Sequence, residues 1–168
     1  GLWGQSFTTL RKDFKKYQFI IAGLDHINKN IYDKAISKSG ASVKVLYNQT
    51  YNLLKNSNAA IVTSGTATLE TALIGTPQIV CYVTNSLNMF LAKFFVKINF
   101  ISLVNLILNK EVVKELIQSD FNKEMIKTEL TLILKGKRNQ IQKDYKDLRN
   151  LLKGEDIESK IVNHIINN

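Results

Sequence analysis

The stretch that decides the fold is "AAIVTSGTATLETALIGTPQIVCYV", residues 59–83. It begins with a short apolar run, turns at Ser-Gly-Thr, and returns to a second apolar run after Gly75 and Pro77. Gly and Pro at these places end a helix, and short continuous apolar runs are typical of buried parallel strands. The stretch therefore predicts a strand over 59–65, a helix over 66–75 and a strand over 77–83.

The same alternation appears upstream. Apolar strands are predicted over 18–23 and 43–47, with helices over about 6–17, 28–39 and 49–57. Alternating strands and helices predict a Rossmann-like α/β fold, with a mostly parallel sheet and helices on both faces.

Downstream of residue 85 the sequence shows no convincing strand. Helices are predicted over 86–100, 110–118, 122–136, 137–154 and 156–168. We therefore expect one domain over 1–168, with an α/β core in 1–85, a mainly helical part in 86–168, and a helical C-terminal tail over about 137–168.

The composition fits a single globular domain with a basic surface. The chain has 168 residues, 45% of them hydrophobic, and a net charge of +9. A positive surface favours anionic partners such as nucleotide phosphates or phospholipid headgroups, although a merely solvated surface remains an alternative. No zinc-finger spacing or aromatic RNA-binding pattern occurs, so no nucleic-acid partner is expected.

Several further features point to a protein of the cytoplasm. The longest uncharged run, 71–92, is interrupted by polar residues, so no transmembrane helix is expected. No secretory signal is recognised, and the single cysteine, Cys81, is expected to be an inert core thiol.

His26 and His164 are far apart, so neither a metal site nor a cofactor is predicted. The apolar segment 89–100 is either a core or interface helix or a membrane-surface patch.

The corner at Thr63–Thr68 is the main candidate site. Ligands of parallel α/β sheets bind at the carboxyl ends of the strands, and the N–H groups and dipole of a following helix suit a phosphate. Glu70, one turn later, could accept hydrogen bonds from ribose hydroxyls. The alternative is ordinary helix capping by Ser or Thr, and the residues alone leave both open. The usual dinucleotide and P-loop fingerprints are absent.

A second polar group follows among apolar residues. Asn105 stands alone in "ISLVNLILN", and Glu111, Glu115 and Gln118 share one face of the helix predicted over 110–118. A solvated helix face is the alternative to a site here.

Taken together, the motifs resemble those of a known family. The run "NSNAAIVTSGTATLETALIGTPQIVCYV" at 56–83, followed by "LAKFFVKINFISLVNLILNKEVVKELIQSDFN" at 91–122, resembles the C-terminal half of the lipid-A-disaccharide synthases, glycosyltransferase family 19. Its hallmarks are "SGTATLE" (64–70), "PQIVCY" (77–82), "SLVNL" (102–106) and "KELIQ" (114–118). The resemblance covers about residues 5–153.

The resemblance implies the donor-binding C-terminal domain of a GT-B enzyme that needs no metal. The resemblance also implies the reaction of this family, the transfer of 2,3-diacylglucosamine from UDP to lipid X with inversion. By position, the resemblance places Ser64, Gly65, Thr66 and Ala67 at the UDP phosphates, Glu70 at the ribose, and Asn105, Glu115 and Gln118 on the donor side.

The chain also departs from the family pattern. The family's N-terminal acceptor domain and its "LPGSR" segment are not found here, so the general base and the lipid X site are expected outside this chain, which alone would be inactive. The resemblance further implies a peripheral place on the cytoplasmic face of the inner membrane. A homodimer formed by exchange of C-terminal helices is a further hypothesis. Alternatives are a non-catalytic GT-B-like nucleotide or membrane-surface binding module, or another GT-B enzyme that shares the corner, such as a UDP-N-acetylglucosamine epimerase.

Overall fold

The computed structural model describes Leu10 and residues 13–39, 43–83 and 99–153. The strands and helices of these residues alternate along the chain. In order they are β1 (Ile20–Gly23), α1 (Lys29–Ser39), β2 (Lys44–Tyr47), α2 (Thr50–Lys55), β3 (Ala60–Thr63), α3 (Thr66–Ile74), β4 (Gln78–Tyr82), α4 (Leu103–Leu108), β5 (Lys114–Ile117), α5 (Lys123–Leu132) and α6 (Arg138–Leu152).

All strand pairings in the described part of the chain are parallel. β1 pairs with β2, and β3, β4 and β5 form a three-stranded sheet with β4 in the centre. The register places Thr63 opposite Cys81 and Tyr82 opposite Ile117, so β3, β4 and β5 end at one edge. The parallel α/β class is confirmed, but the described strands form two sheets where the sequence predicted one.

The hydrophobic core lies around β4. Its "IVC" run is at most 2% exposed, as expected for a central parallel strand that is covered on both faces. Helix α6 contributes Ile141, Tyr145 and Leu148 to the same core. By contrast, the β1–α1–β2 unit is mostly half-buried or exposed, and Ile31 of α1 is 60% exposed.

Helices α5 and α6 form one continuous helical path. The sequence predicts a break at Gly136, but the chain passes from α5 to α6 through a π-helical turn at Ile133–Lys137. A π turn inserts one residue without ending the helix, so a glycine there does not stop it.

The helix predicted over 110–118 is wrong. Residues Lys114–Ile117 form β5, which is paired with β4, and a 3₁₀ turn follows at Gln118–Asp120. The predicted strands at 18–23, 43–47, 59–65 and 77–83 are confirmed to within two residues at each end. The predicted helices at 86–100 and 156–168, and most of that at 6–17, lie outside the described residues.

Candidate functional site

The Ser64–Gly65–Thr66 turn joins β3 directly to α3. The ladder with β4 continues to Ser64, whose N–H donates to the carbonyl of Cys81 at 2.9 Å. Gly65 then adopts φ 150° and ψ −167°, a conformation that is essentially restricted to glycine. A Cβ placed on Gly65 would have no described atom within 4 Å, so the backbone of this turn faces open space.

The N-terminus of α3 has no side-chain cap. Its N-cap residue is Gly65, and no acidic residue lies in its first turn. Residues 65–67 are exposed, whereas the Thr68 hydroxyl is used locally, donating to the Gly65 carbonyl at 2.7 Å. Because the first N–H groups of a helix have no intrahelical acceptor, this end of α3 presents free donors and a positive dipole to solvent. Ser64 does not cap the helix, contrary to the capping interpretation.

Glu70 lies one turn further along α3 and is linked to α2. The hydroxyl of Tyr51 donates to Oε2 of Glu70 at 3.2 Å, and Tyr51 is 63% exposed. The hydrogen bond to Glu70 raises the pKa of Tyr51, because ionising the phenol would lose that bond beside a carboxylate. Tyr51 was not predicted as a site residue, because no local pattern links it to Glu70.

The carbonyl end of α3 is closed by Gly75, as the sequence predicted, and by Arg149, which the sequence did not reveal. Gly75 is left-handed at φ 99°, and its N–H donates to the carbonyls of Thr71 and Ala72. The guanidinium of Arg149 from α6 donates to the carbonyls of Ala72 and Leu73 at 3.3 and 3.4 Å. A cation at this end also complements the helix dipole.

Asn105 is completely buried, and all its hydrogen-bonding positions are occupied. Its Nδ2 donates to the Val113 carbonyl and to Glu115 Oε1, both at 2.8 Å. Its Oδ1 accepts from the N–H groups of Val112 and Val113 at 2.8 and 3.0 Å. A side-chain amide offers two donors and two acceptor positions, so Asn105 holds the loop between α4 and β5.

Glu115 belongs to the same network. Its carboxylate accepts from the N–H groups of Ile101 and Ser102 at 2.8 and 2.9 Å, in addition to Asn105. Ser102 in turn caps α4, because its hydroxyl accepts from the N–H of Asn105. The structure thus brings Asn105 and Glu115 together as an anchor that fixes the start of α4 to β5.

Gln118 lies apart from this anchor. It follows the end of β5 with a positive φ of 51°, at the edge where Ser64 follows β3. Two strand spacings separate β3 from β5, so the two positions are about 10 Å apart along the sheet edge. A ligand the size of a nucleotide could span that distance. Glu111, by contrast, lies on the surface and pairs with Lys114.

Other candidates carry less chemistry. Burial raises the pKa of Cys81 to about 12, so its thiol is protonated at neutral pH and a poor nucleophile. Within the described ranges, no three His, Cys, Asp or Glu residues are grouped to hold a metal ion. Among the same residues, no helix combines the length and apolarity that crossing a membrane requires.

The fold and the turn together define a class of protein. It is a parallel α/β domain whose strand-to-helix turn is open at the carboxyl edge of the sheet, where doubly wound domains bind their ligands. A family model described as lipid-A-disaccharide synthetase matches residues 4–165. The chain therefore belongs to the lipid-A-disaccharide synthase family, which confirms the resemblance seen in its motifs.

Individual relatives agree with the family model. The chain is 36% identical over 138 residues to the lipid-A-disaccharide synthase of Syntrophus aciditrophicus (strain SB), covering 80% of this chain and 36% of that protein. It is 42% identical over 96 residues to the synthase of Wigglesworthia glossinidia brevipalpis, covering 57% of this chain and 25% of the relative. It is 41% identical over 96 residues to the synthase of Sulfurihydrogenibium sp. (strain YO3AOP1), covering 57% of this chain and 23% of the relative. The chain thus spans about a quarter to a third of these relatives.

Proposed function

We propose that this chain is the UDP-sugar-binding part of a lipid-A-disaccharide synthase. The whole enzyme would transfer 2,3-diacylglucosamine from UDP to lipid X with inversion, as a peripheral protein on the cytoplasmic face of the inner membrane. The observation that carries the proposal is the uncapped N-terminus of α3, exposed behind Gly65 in a chain of this family.

We infer a role for each predicted residue from its position in the fold. The N–H groups of Thr66 and Ala67, with the hydroxyls of Ser64 and Thr66, would hold the diphosphate, because free helix donors and a positive dipole favour anions. Gly65 would allow phosphate oxygens to approach the backbone. Glu70 would accept the ribose hydroxyls. Inversion also requires a base to deprotonate the acceptor hydroxyl, and we propose that this base lies outside this chain.

The remaining predicted residues have less direct roles in this proposal. The hydrogen bonds of Asn105 are satisfied within the protein, so we assign it and Glu115 the task of fixing α4 beside the sheet. Gln118, at the same edge as Ser64, remains a candidate contact for the far side of the donor.

Binding of UDP to the folded chain tests the proposal. A ligand that binds only the folded state at about 100 times its dissociation constant adds about 2.7 kcal/mol of stability. For a chain of this size, that raises the melting temperature by about 5–10 °C. An unchanged melting temperature at millimolar UDP would refute the proposal.

Glu70→Ala tests the ribose contact. The parent chain should bind UDP more tightly than 2′-deoxy-UDP, and the variant should lose that preference, since Glu70 would no longer receive the hydroxyl. Glu124→Ala is the matched control, because it removes an exposed carboxylate from another helix and should leave the preference intact. If Glu70→Ala keeps the preference for UDP over 2′-deoxy-UDP, Glu70 does not bind the ribose.

A second candidate is a binding module for anionic membrane surfaces, supported by the net charge of +9. It predicts salt-sensitive binding to vesicles of anionic phospholipid without any effect of UDP. Dimerisation by exchange of the C-terminal helices stays a proposal, which the molecular mass in solution would test.

A further inference from the structure

Tyr51 stands out among the exposed side chains near the proposed site. It lies in the first turn of α2, a helix that has no buried residue, and Tyr51 itself is 63% exposed. An exposed aromatic residue alone is uninformative, but the hydroxyl of this one contacts Glu70 Oε2 at 3.2 Å.

The position of Tyr51 follows the order of groups in a nucleotide. Glu70 is four residues beyond Thr66 and therefore lies about 6 Å further along the axis of α3. A nucleotide with its phosphates at Thr66 and its ribose at Glu70 must extend its base beyond Glu70, because the ribose lies between the two. The side chain that contacts Glu70 from the neighbouring helix is Tyr51.

We propose that Tyr51 recognises the base of the bound nucleotide, with its ring stacked on the base and its hydroxyl orienting the Glu70 carboxylate. The inference rests on the proposed function and adds to it a residue that distinguishes nucleotides from other diphosphates. With Oε2 engaged by Tyr51, Oε1 of Glu70 is left for the ribose. Stacking on an aromatic face needs no hydrogen-bond pattern, and it strengthens binding of any planar base.

The contact is not needed to join α2 to α3. The hydroxyl of Thr76, itself 3% exposed, donates to the carbonyl of Leu54 at 2.6 Å and already ties the end of α2 to the residues after α3. A purely structural role for Tyr51 would therefore contribute little to stability. Such a role would not require an aromatic side chain at this position.

Two variants and two ligands test the inference. Binding of UDP and of inorganic pyrophosphate is measured by calorimetry for the parent, Tyr51→Leu and Tyr51→Phe. Tyr51→Leu should weaken UDP binding by about five- to a hundredfold, which is the usual range for losing a base–aromatic stack. It should leave pyrophosphate, which has neither base nor ribose, within about twofold of the parent. Tyr51→Phe keeps the ring and should lose less UDP affinity than Tyr51→Leu.

The controls separate the possible failures. Tyr17→Leu alters another exposed tyrosine, 39% accessible, and should leave both affinities unchanged. Equal effects of Tyr51→Leu on both ligands, no effect on UDP, or equal losses in Tyr51→Phe and Tyr51→Leu would each overturn the inference while UDP binding by the parent stands. If the parent itself does not bind UDP, the proposed function and this inference fall together.

Discussion

Replacing Asn105 by Ala gives a sharp test of whether this residue supports the fold or contacts a ligand. The substitution removes four hydrogen bonds from a side chain that is 0% exposed. It leaves the N–H groups of Val112 and Val113 and the carbonyl of Val113 without this partner, and Glu115 loses one donor.

The magnitude follows from burial. A buried polar group left unsatisfied costs about 1–3 kcal/mol. The N–H of Val112 also donates to the carbonyl of Lys110 at 3.0 Å, so the cost falls mainly on the N–H and carbonyl of Val113, a residue that is 1% exposed. We therefore expect a loss of about 3–5 kcal/mol, a large part of the 5–15 kcal/mol that stabilises typical domains. The melting temperature should fall by about 6–20 °C.

The assay is urea unfolding followed by circular dichroism, together with UDP binding at a temperature where the variant is folded. Asn150→Ala is the matched control, because Asn150 is exposed on α6 and its replacement should change stability by less than about 0.5 kcal/mol. If Asn105→Ala unfolds at the same urea concentration as this control but no longer binds UDP, Asn105 contacts the ligand and the anchor interpretation is wrong.

Two further predictions concern β4 and α3. The pKa of Cys81 is raised by burial from 9.0 to about 12, so its stabilising contribution is complete below pH 9 and lost as pH rises towards 12. At pH 10 the free energy of unfolding should be lower by about 1.4 kcal/mol, and Cys81→Ala should abolish this pH-dependent loss. If parent and variant differ in stability by the same amount at pH 8 and pH 10, the prediction is wrong. Thr66→Asp adds an acid to the first turn of α3 and should stabilise the free chain by about 0.3–1 kcal/mol while weakening UDP binding, and unchanged UDP affinity would argue against a phosphate there.

The first four strands could be predicted because each has a short apolar run, interrupted by a charge only at Lys44 of β2. The strand β5 could not, because its sequence "KELI" carries charges and lies within a helix-like spacing of Glu111, Glu115 and Gln118. Glu115 is tolerated in a strand because two backbone N–H groups and Asn105 surround its carboxylate. Those partners are 10 to 14 residues away in sequence, so no local sequence pattern predicts these contacts.

The candidate site shows the same division. The Thr63–Thr68 corner is visible in the sequence because a strand, a glycine and a helix follow one another directly. Tyr51 and Arg149 are not visible, because each reaches α3 from a different helix, 19 and 77 residues away. Contacts of this kind can be predicted only once the order of the strands in the sheet is known.

The two ends of α3 differ in a way that folding stability alone does not explain. Its carbonyl end is closed by Gly75 and by the cation of Arg149. Its amino end has neither a capping side chain nor an acid, whereas α5 begins with Asn122 as a cap and Glu124 in its first turn. A serine or aspartate at the position of Gly65 would stabilise the helix by roughly a few tenths of a kcal/mol in an ordinary turn, and it would place a side chain where the backbone is now open. The positive end of α3 is thus left free while its negative end is neutralised, which is the charge distribution that an anionic ligand would complete.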